Sequence, residues 1–177
     1  GMFLKIISLI EYTAVNVKLF SEDGMSLFVE YEGRHYLIDT GLTGKAVDNA
    51  KRMRLPINDI HAVVVTHNHH AHIGGIDAVM RLNPNAKIYY LLPYTTRAQS
   101  KYNAVISEFC DYLNIYTIDL GETELINYSG NLNLVDGETS CHPNAKGMDI
   151  ITNKIVEELK EELKCLLEKK LLGECLV

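Results

Sequence analysis

The stretch Ala62-Val63-Val64-Val65-Thr66-His67-Asn68-His69-His70-Ala71-His72-Ile73-Gly74-Gly75 decides how this chain is read. A short apolar run rich in β-branched residues reads as a buried strand. Four of the chain's seven histidines follow within six residues, and two glycines close the segment. Just past the carboxyl end of a buried strand is where an α/β protein places a metal or a catalytic centre. His67 and His69, two apart, can point to one side of such a segment, and His72 falls near the start of the following helix. Three imidazoles then converge on one ion, and neutral imidazole suits zinc, and also iron, nickel or copper. Without a metal, burying several unpaired histidines costs desolvation energy with no return. A lone histidine in such a place is commonly a solvated loop residue. A spaced cluster behind a Val-rich strand points to metal instead.

Upstream the chain reads as strands: Phe3 to Ile10, Val15 to Phe20, Met25 to Glu30, and, after the Glu32-Gly33 turn, Arg34 to Ile38. Thr43 to Arg54 has helical spacing, with Ala46, Val47, Ala50 and Met53 on one face. The buried strand spans His61 to Thr66. Gly75 opens a helix over Ile76 to Leu82, and Lys87 to Leu91 is the next strand. Pro93 to Ser100 reads as a polar loop and Lys101 to Leu113 as a helix. Ile115 to Leu120, Thr123 to Tyr128 and Asn131 to Val135 read as strands, and 136–147 as irregular. A long amphipathic helix runs from about Ile150 to Leu172, its apolar stripe formed by Ile155, Val156, Leu159, Leu163, Leu166, Leu167 and Leu171. Strands grouped first, then strands alternating with helices, predict two packed sheets flanked by helices in a single domain over residues 2–177.

Composition narrows the function classes. The net charge is −6, without a basic block or stripe, so nucleic-acid binding has little electrostatic support. No apolar run is long enough to cross a bilayer. Met2 to Glu11 is too short and too poor in small residues for a signal peptide, so the expected compartment is the cytoplasm. Cys110, Cys141, Cys165 and Cys175 lack the spacing of a zinc ribbon or a disulfide framework. Thr40 to Lys45 lacks the spacing of a phosphate-binding Walker loop. The last helix has two available uses: covering the sheet, or pairing with a second copy in a homodimer.

The histidine segment resembles the T-H-x-H-x-D-H-x-G-G signature of the metallo-β-lactamase superfamily. His67, His69 and His72 match its histidines, Gly74 and Gly75 its glycines, and Asp39-Thr40-Gly41 its strand-end Asp-Thr-Gly. Glu22 to Leu27 and the helix with Asn49-Ala50-Lys51 are similar to the branch of dihydropterin-ribofuranosylaminobenzene-phosphate-synthase-like hydrolases. The resemblance covers residues 2 to roughly 90. It implies an αββα sandwich with the site at one edge of the sheets, and a metal-dependent hydrolase whose metal-bound hydroxide attacks a small ester, lactone or phosphoester.

The chain also departs from that pattern. Ala71 stands where the signature has aspartate, which weakens a second metal position and removes the usual acid/base group; His70, adjacent, is the residue left to compensate. His142, in Ser140-Cys141-His142-Pro143, is the sole histidine after His72 and so the candidate for the superfamily's downstream ligand, its alternative being an exposed turn. The final histidine of the pattern has no counterpart, and the second half is expected to have lost strands. These readings predict one ion, zinc before iron or manganese, on His67, His69 and His142, with His72 near the open position. Asp39 is expected to accept a ring N–H and fix a tautomer, or else to be a plain turn residue. His35 and His61 read as structural or solvated. The alternative to a hydrolase is a degenerate member that binds a metal or ligand without turnover.

Overall fold

The computed structural model describes the backbone of residues 3–14, 16–92, 97–120 and 144–171, and the side chains of 3–14, 16–92, 102–120 and 144–160. Among these residues it is a mixed α/β structure with one sheet of six strands, β1 (Leu4–Ile10), β2 (Ser26–Tyr31), β3 (Arg34–Ile38), β4 (Ala62–Val65), β5 (Lys87–Leu92) and β6 (Tyr116–Asp119), arranged in chain order. The α/β class is as expected. The strands expected at 123–128 and 131–135, from which a second sheet of an αββα sandwich would draw, lie outside the described residues.

Compactness divides the chain into two units, residues 1–91 with 109–117, and residues 92–108 with 118–177. In the first, β1, β2 and β3 pair antiparallel, and β3, β4 and β5 pair parallel. Central β4 has a parallel neighbour on either side and is buried at all four positions, so an unbroken apolar run serves it better than alternation. Val63 joins a core of Leu9, Ile10, Phe28, Leu37, Ile57, Ile60 and Val79 with one face of α1 (Lys45–Arg52). That face is the expected one: Ala46, Val47 and Ala50 are buried and Met53 is partly buried. The histidine segment forms a single helical turn, α2 (His70–Ile73), before α3 (Ile76–Leu82). The second unit holds most of α4 (Arg97–Tyr112) and all of α5 (Ala145–Leu171). Helix α4 takes in residues 97–100, read from sequence as loop, and α5 starts inside the stretch read as irregular. No helix among the described residues is long and apolar enough to cross a membrane.

The strand expected at Val15 to Phe20 is not formed over its described residues, 16–20; residues 16–19 make a turn. Asn16 closes it, its side chain accepting from Lys18 N at 3.0 Å while its carbonyl accepts from Leu19 N at 3.0 Å. Local Asn chemistry of this kind outcompetes a short apolar alternation. The segment then attaches to α1 rather than to the sheet. Phe20 lies under the Arg52 guanidinium, 4.1 Å from the ring centroid, and Arg52 Nη1 donates to Lys18 O.

Asn49 secures that attachment from within the apolar face of α1. Fully buried, it accepts from Phe20 N at 2.9 Å and donates to Leu9 O at 2.7 Å and Phe20 O at 2.9 Å. Asn49→Ala leaves three backbone groups without their partner, so the expected loss of stability is about 3 kcal/mol. Urea unfolding checks this; a midpoint equal to wild type would remove Asn49 from the account.

Candidate metal centre

The site forms where β3 and β4 end side by side. β3 runs out at Ile38, and Asp39 turns with φ of 56°, a left-handed conformation that Asp tolerates better than most residues. Its amide donates to Val64 O at 2.8 Å, which holds the turn against β4. The histidine turn is stitched to the same loop: Thr40 N and Thr40 Oγ1 both donate to His72 O, at 2.7 and 3.1 Å, and Gly75 N donates to Gly41 O at 3.1 Å. So close an approach requires glycine; a Cβ on Gly74 would stand 2.0 Å from Leu42 O.

The Asp39 carboxylate is completely buried and accepts three hydrogen bonds. Oδ1 takes Thr66 N at 2.8 Å; Oδ2 takes Thr66 Oγ1 at 2.6 Å and His72 Nδ1 at 2.7 Å. Thr66 Oγ1 also lies 2.8 Å from His67 Nδ1. A hydroxyl has one proton, and the carboxylate takes it, so the Thr66 oxygen accepts from His67 Nδ1–H. One carboxylate thereby sets two tautomers, His72 directly and His67 through Thr66. In its neutral form each ring then presents the Nε2 lone pair to a ligand. Asp39 was expected to accept a ring N–H, and here its Oδ2 lies 2.7 Å from His72 Nδ1. Thr66 was not foreseen; the available signal was a hydroxyl residue between the strand and the first histidine.

His69 caps α2, its Nδ1 accepting from Ala71 N at 3.3 Å, a long contact that leaves this ring the least fixed of the three. Ligand atoms of His67, His69 and His72 lie within 4.8 Å of one another. With metal–nitrogen bonds near 2.1 Å, a tetrahedral site needs donors about 3.4 Å apart, so the rings have to close by at most ~1.4 Å. His67 and His69 are exposed and can turn that far. Burial pushes the His67 imidazole below its ordinary range, the neighbouring His72 acts in the same direction, and Asp39 opposes them. The outcome favours the neutral ring, the form that ligates. Three imidazoles with two outer nitrogens already held fit a divalent ion.

His70 stacks on His69 with centroids 4.4 Å apart and is outside the donor triangle. Ala71 is buried, and Gly24 packs on its backbone so closely that a Cβ at Gly24, whose φ is 107°, would stand 1.7 Å from Ala71 O. His142 lies outside the described residues. His35 is structural, stacked on Phe28 and bonded to Asp59, while His61 meets the Tyr36 ring edge-on. Cys110 is a buried free thiol.

Residues 22–107 match the family model of the metallo-beta-lactamase superfamily. Over 78 residues the chain is 28% identical to a hydroxyacylglutathione hydrolase of Aeromonas salmonicida (strain A449), covering 44% of this chain and 29% of that protein. Over 59 residues it is 39% identical to exodeoxyribonuclease YycJ of Bacillus anthracis, covering 33% of this chain and 22% of the relative. A solved beta-lactamase from Chitinophaga pinensis aligns over 38% of this chain and 26% of its own length, at 27% identity and a TM-score of 0.34. The chain thus spans less than a third of the length of these curated relatives. The family match supports the superfamily and does not single out the dihydropterin-type branch.

Proposed function

We propose that this chain, which carries the metallo-beta-lactamase pattern over residues 22–107, is a metal-dependent hydrolase of a small ester, lactone or phosphoester, with zinc on His67, His69 and His72; His142 is proposed as a further ligand from the sequence alone. The observation that carries the reading is the convergence of three imidazoles, two of which have their outer nitrogens held through Asp39. Zinc bound by such a set polarises an electrophile and brings the pKa of water to about 7. The chain's own work is orientation: Asp39 and Thr66 hold His67 and His72 in ligating tautomers. His70, stacked on His69, is the nearest additional imidazole for proton transfer. The two curated relatives are named for different substrates, hydroxyacylglutathione and DNA. A net charge of −6 favours a small substrate over DNA.

The branch resemblance adds little to the choice of substrate. Glu22 holds Leu42 N, Thr43 N and Thr43 Oγ1, and Asn49 clamps Leu9 and Phe20, so both residues serve the fold. A second reading, a member that binds metal without turnover, is favoured by one observation: a buried methyl at Ala71 stands where the signature has a carboxylate.

Ala71→Asp separates the two. If the missing acid limits this site, the variant takes up more metal than wild type and hydrolyses a panel of ester and phosphodiester substrates at least about tenfold faster, within the usual range for a positioned acid/base group. Elemental analysis and initial rates report this, with thermal unfolding confirming a folded variant. Unchanged metal content and unchanged rates would show that Ala71 is not the limiting position.

A further inference from the structure

The opposite end of the parallel strands carries a second feature. Where β3, β4 and β5 begin, a cavity of about 420 Å³ opens among Gly33, Arg34, Asn58, His61, Pro84 and Asn85. Asp39 and Thr66 follow the other ends of β3 and β4, so this cavity and the histidine centre stand at opposite ends of these strands. Its size suits a small molecule.

Arg34 is the reason to assign it a ligand. The residue is half-buried, and its Nη1 is buried with no hydrogen-bond partner among the described residues. A guanidinium nitrogen drawn out of water without a partner is costly, and a partly buried arginine ordinarily meets a carboxylate or phosphate. The neighbouring carboxylates are engaged elsewhere. Asp59, which also lines the wall, lies 3.2 Å from His35 Nδ1 and is 79% exposed; Glu30 lies 3.8 Å from His35 Nε2. Exposed Asn58 and Asn85 add amide groups to the wall.

We propose that this cavity binds a small oxyanion, an organic phosphate or carboxylate, whose charge balances Arg34. The site is independent of the histidine centre and does not rest on the proposed hydrolysis.

Inorganic phosphate and acetate are the probes, titrated into the full chain against potassium chloride at matched ionic strength. Readouts are the thermal midpoint and the backbone amide shifts of Gly33, Ile60 and Asn85. Saturable shifts are expected with at least one oxyanion, together with a rise in midpoint. Arg34→Met is expected to weaken binding at least about tenfold, and Arg34→Lys less, since it keeps the charge and loses the planar fork. Without the anion, Arg34→Met is expected to be no less stable than wild type, because it removes a buried guanidinium nitrogen that has no partner among the described residues. His67→Ala is expected to bind as wild type does, which places the anion away from the histidines. No saturable response up to about 50 mM of either probe, an equal response to chloride, or an undiminished response in Arg34→Met would each overturn the assignment.

Discussion

Replacing His67 or His69 by alanine is expected to cut reconstituted zinc from about one equivalent per chain to less than about a tenth, the largest functional change a single substitution in this chain should produce. Removing one imidazole from the described triangle leaves two there, one short of the proposed set even with His142, and the weakened set should hold zinc poorly against water and buffer. His70→Ala is the internal control. Its ring stacks on His69 and offers no atom to the triangle, so zinc content should stay at the wild-type level. His72→Ala should also lose zinc, and in addition leaves the buried Asp39 short of one hydrogen bond, so of the three it should lose the most stability in the metal-free state. Elemental analysis after metal-free purification and reconstitution reports the first effect, and urea unfolding of the metal-free proteins the second. Wild type holding less than a tenth of an equivalent, with His67→Ala no different, would remove the metal centre and leave a structural or partner-binding domain.

The residues near β4 were legible because two constraints coincide there. A strand covered on both faces requires an unbroken apolar run, and imidazoles converging past its end require close spacing; each leaves a local trace. The α1 face was legible for the same reason, its apolar period being local. What escaped was non-local. Asn49 sits in the apolar stripe of α1 as a polar exception, and nothing nearby shows that its partners are Leu9 and Phe20, roughly 30 to 40 positions away. The turn at Asn16 was masked by the apolar residues around it, since alternation over a few positions is weaker than one side chain able to close a turn. Thr66 was visible as a letter and not as a link. Its role depends on the Asp39 carboxylate arriving from another strand at 2.6 Å. His142 and the strands expected around it fall outside the described residues, so the downstream ligand remains part of the proposal.

Asp39→Ala should be the most destabilising substitution at the site, by about 3–5 kcal/mol. Three donors converge on this fully buried carboxylate, and its removal leaves Thr66 N, Thr66 Oγ1 and His72 Nδ1, all partly buried, without their acceptor. Alanine also has to adopt the left-handed backbone at φ 56°, which costs about 1 kcal/mol by itself. Asp39→Gly separates these contributions, since it relieves the backbone and still lacks the acceptors; it should recover about that one kcal/mol relative to alanine and no more. Asp39→Asn keeps one oxygen for Thr66 and tolerates the backbone, so it should be the mildest for folding. Its single oxygen cannot serve all three donors, and its NH2 must face either Thr66 N–H or the Thr66 hydroxyl and His72 ring, so zinc affinity should still fall about 10- to 100-fold. Urea midpoints and competitive zinc titrations should therefore rank the variants differently, stability as Asn above Gly above Ala, affinity low in all three. Thr66→Val completes the set. It removes the hydroxyl between Asp39 and His67 while the direct Asp39–His72 bond stays, so it should weaken zinc binding without the collapse in stability seen for Asp39→Ala. Equal affinity in Thr66→Val and wild type would mean that the His67 ring is oriented by something other than this hydroxyl.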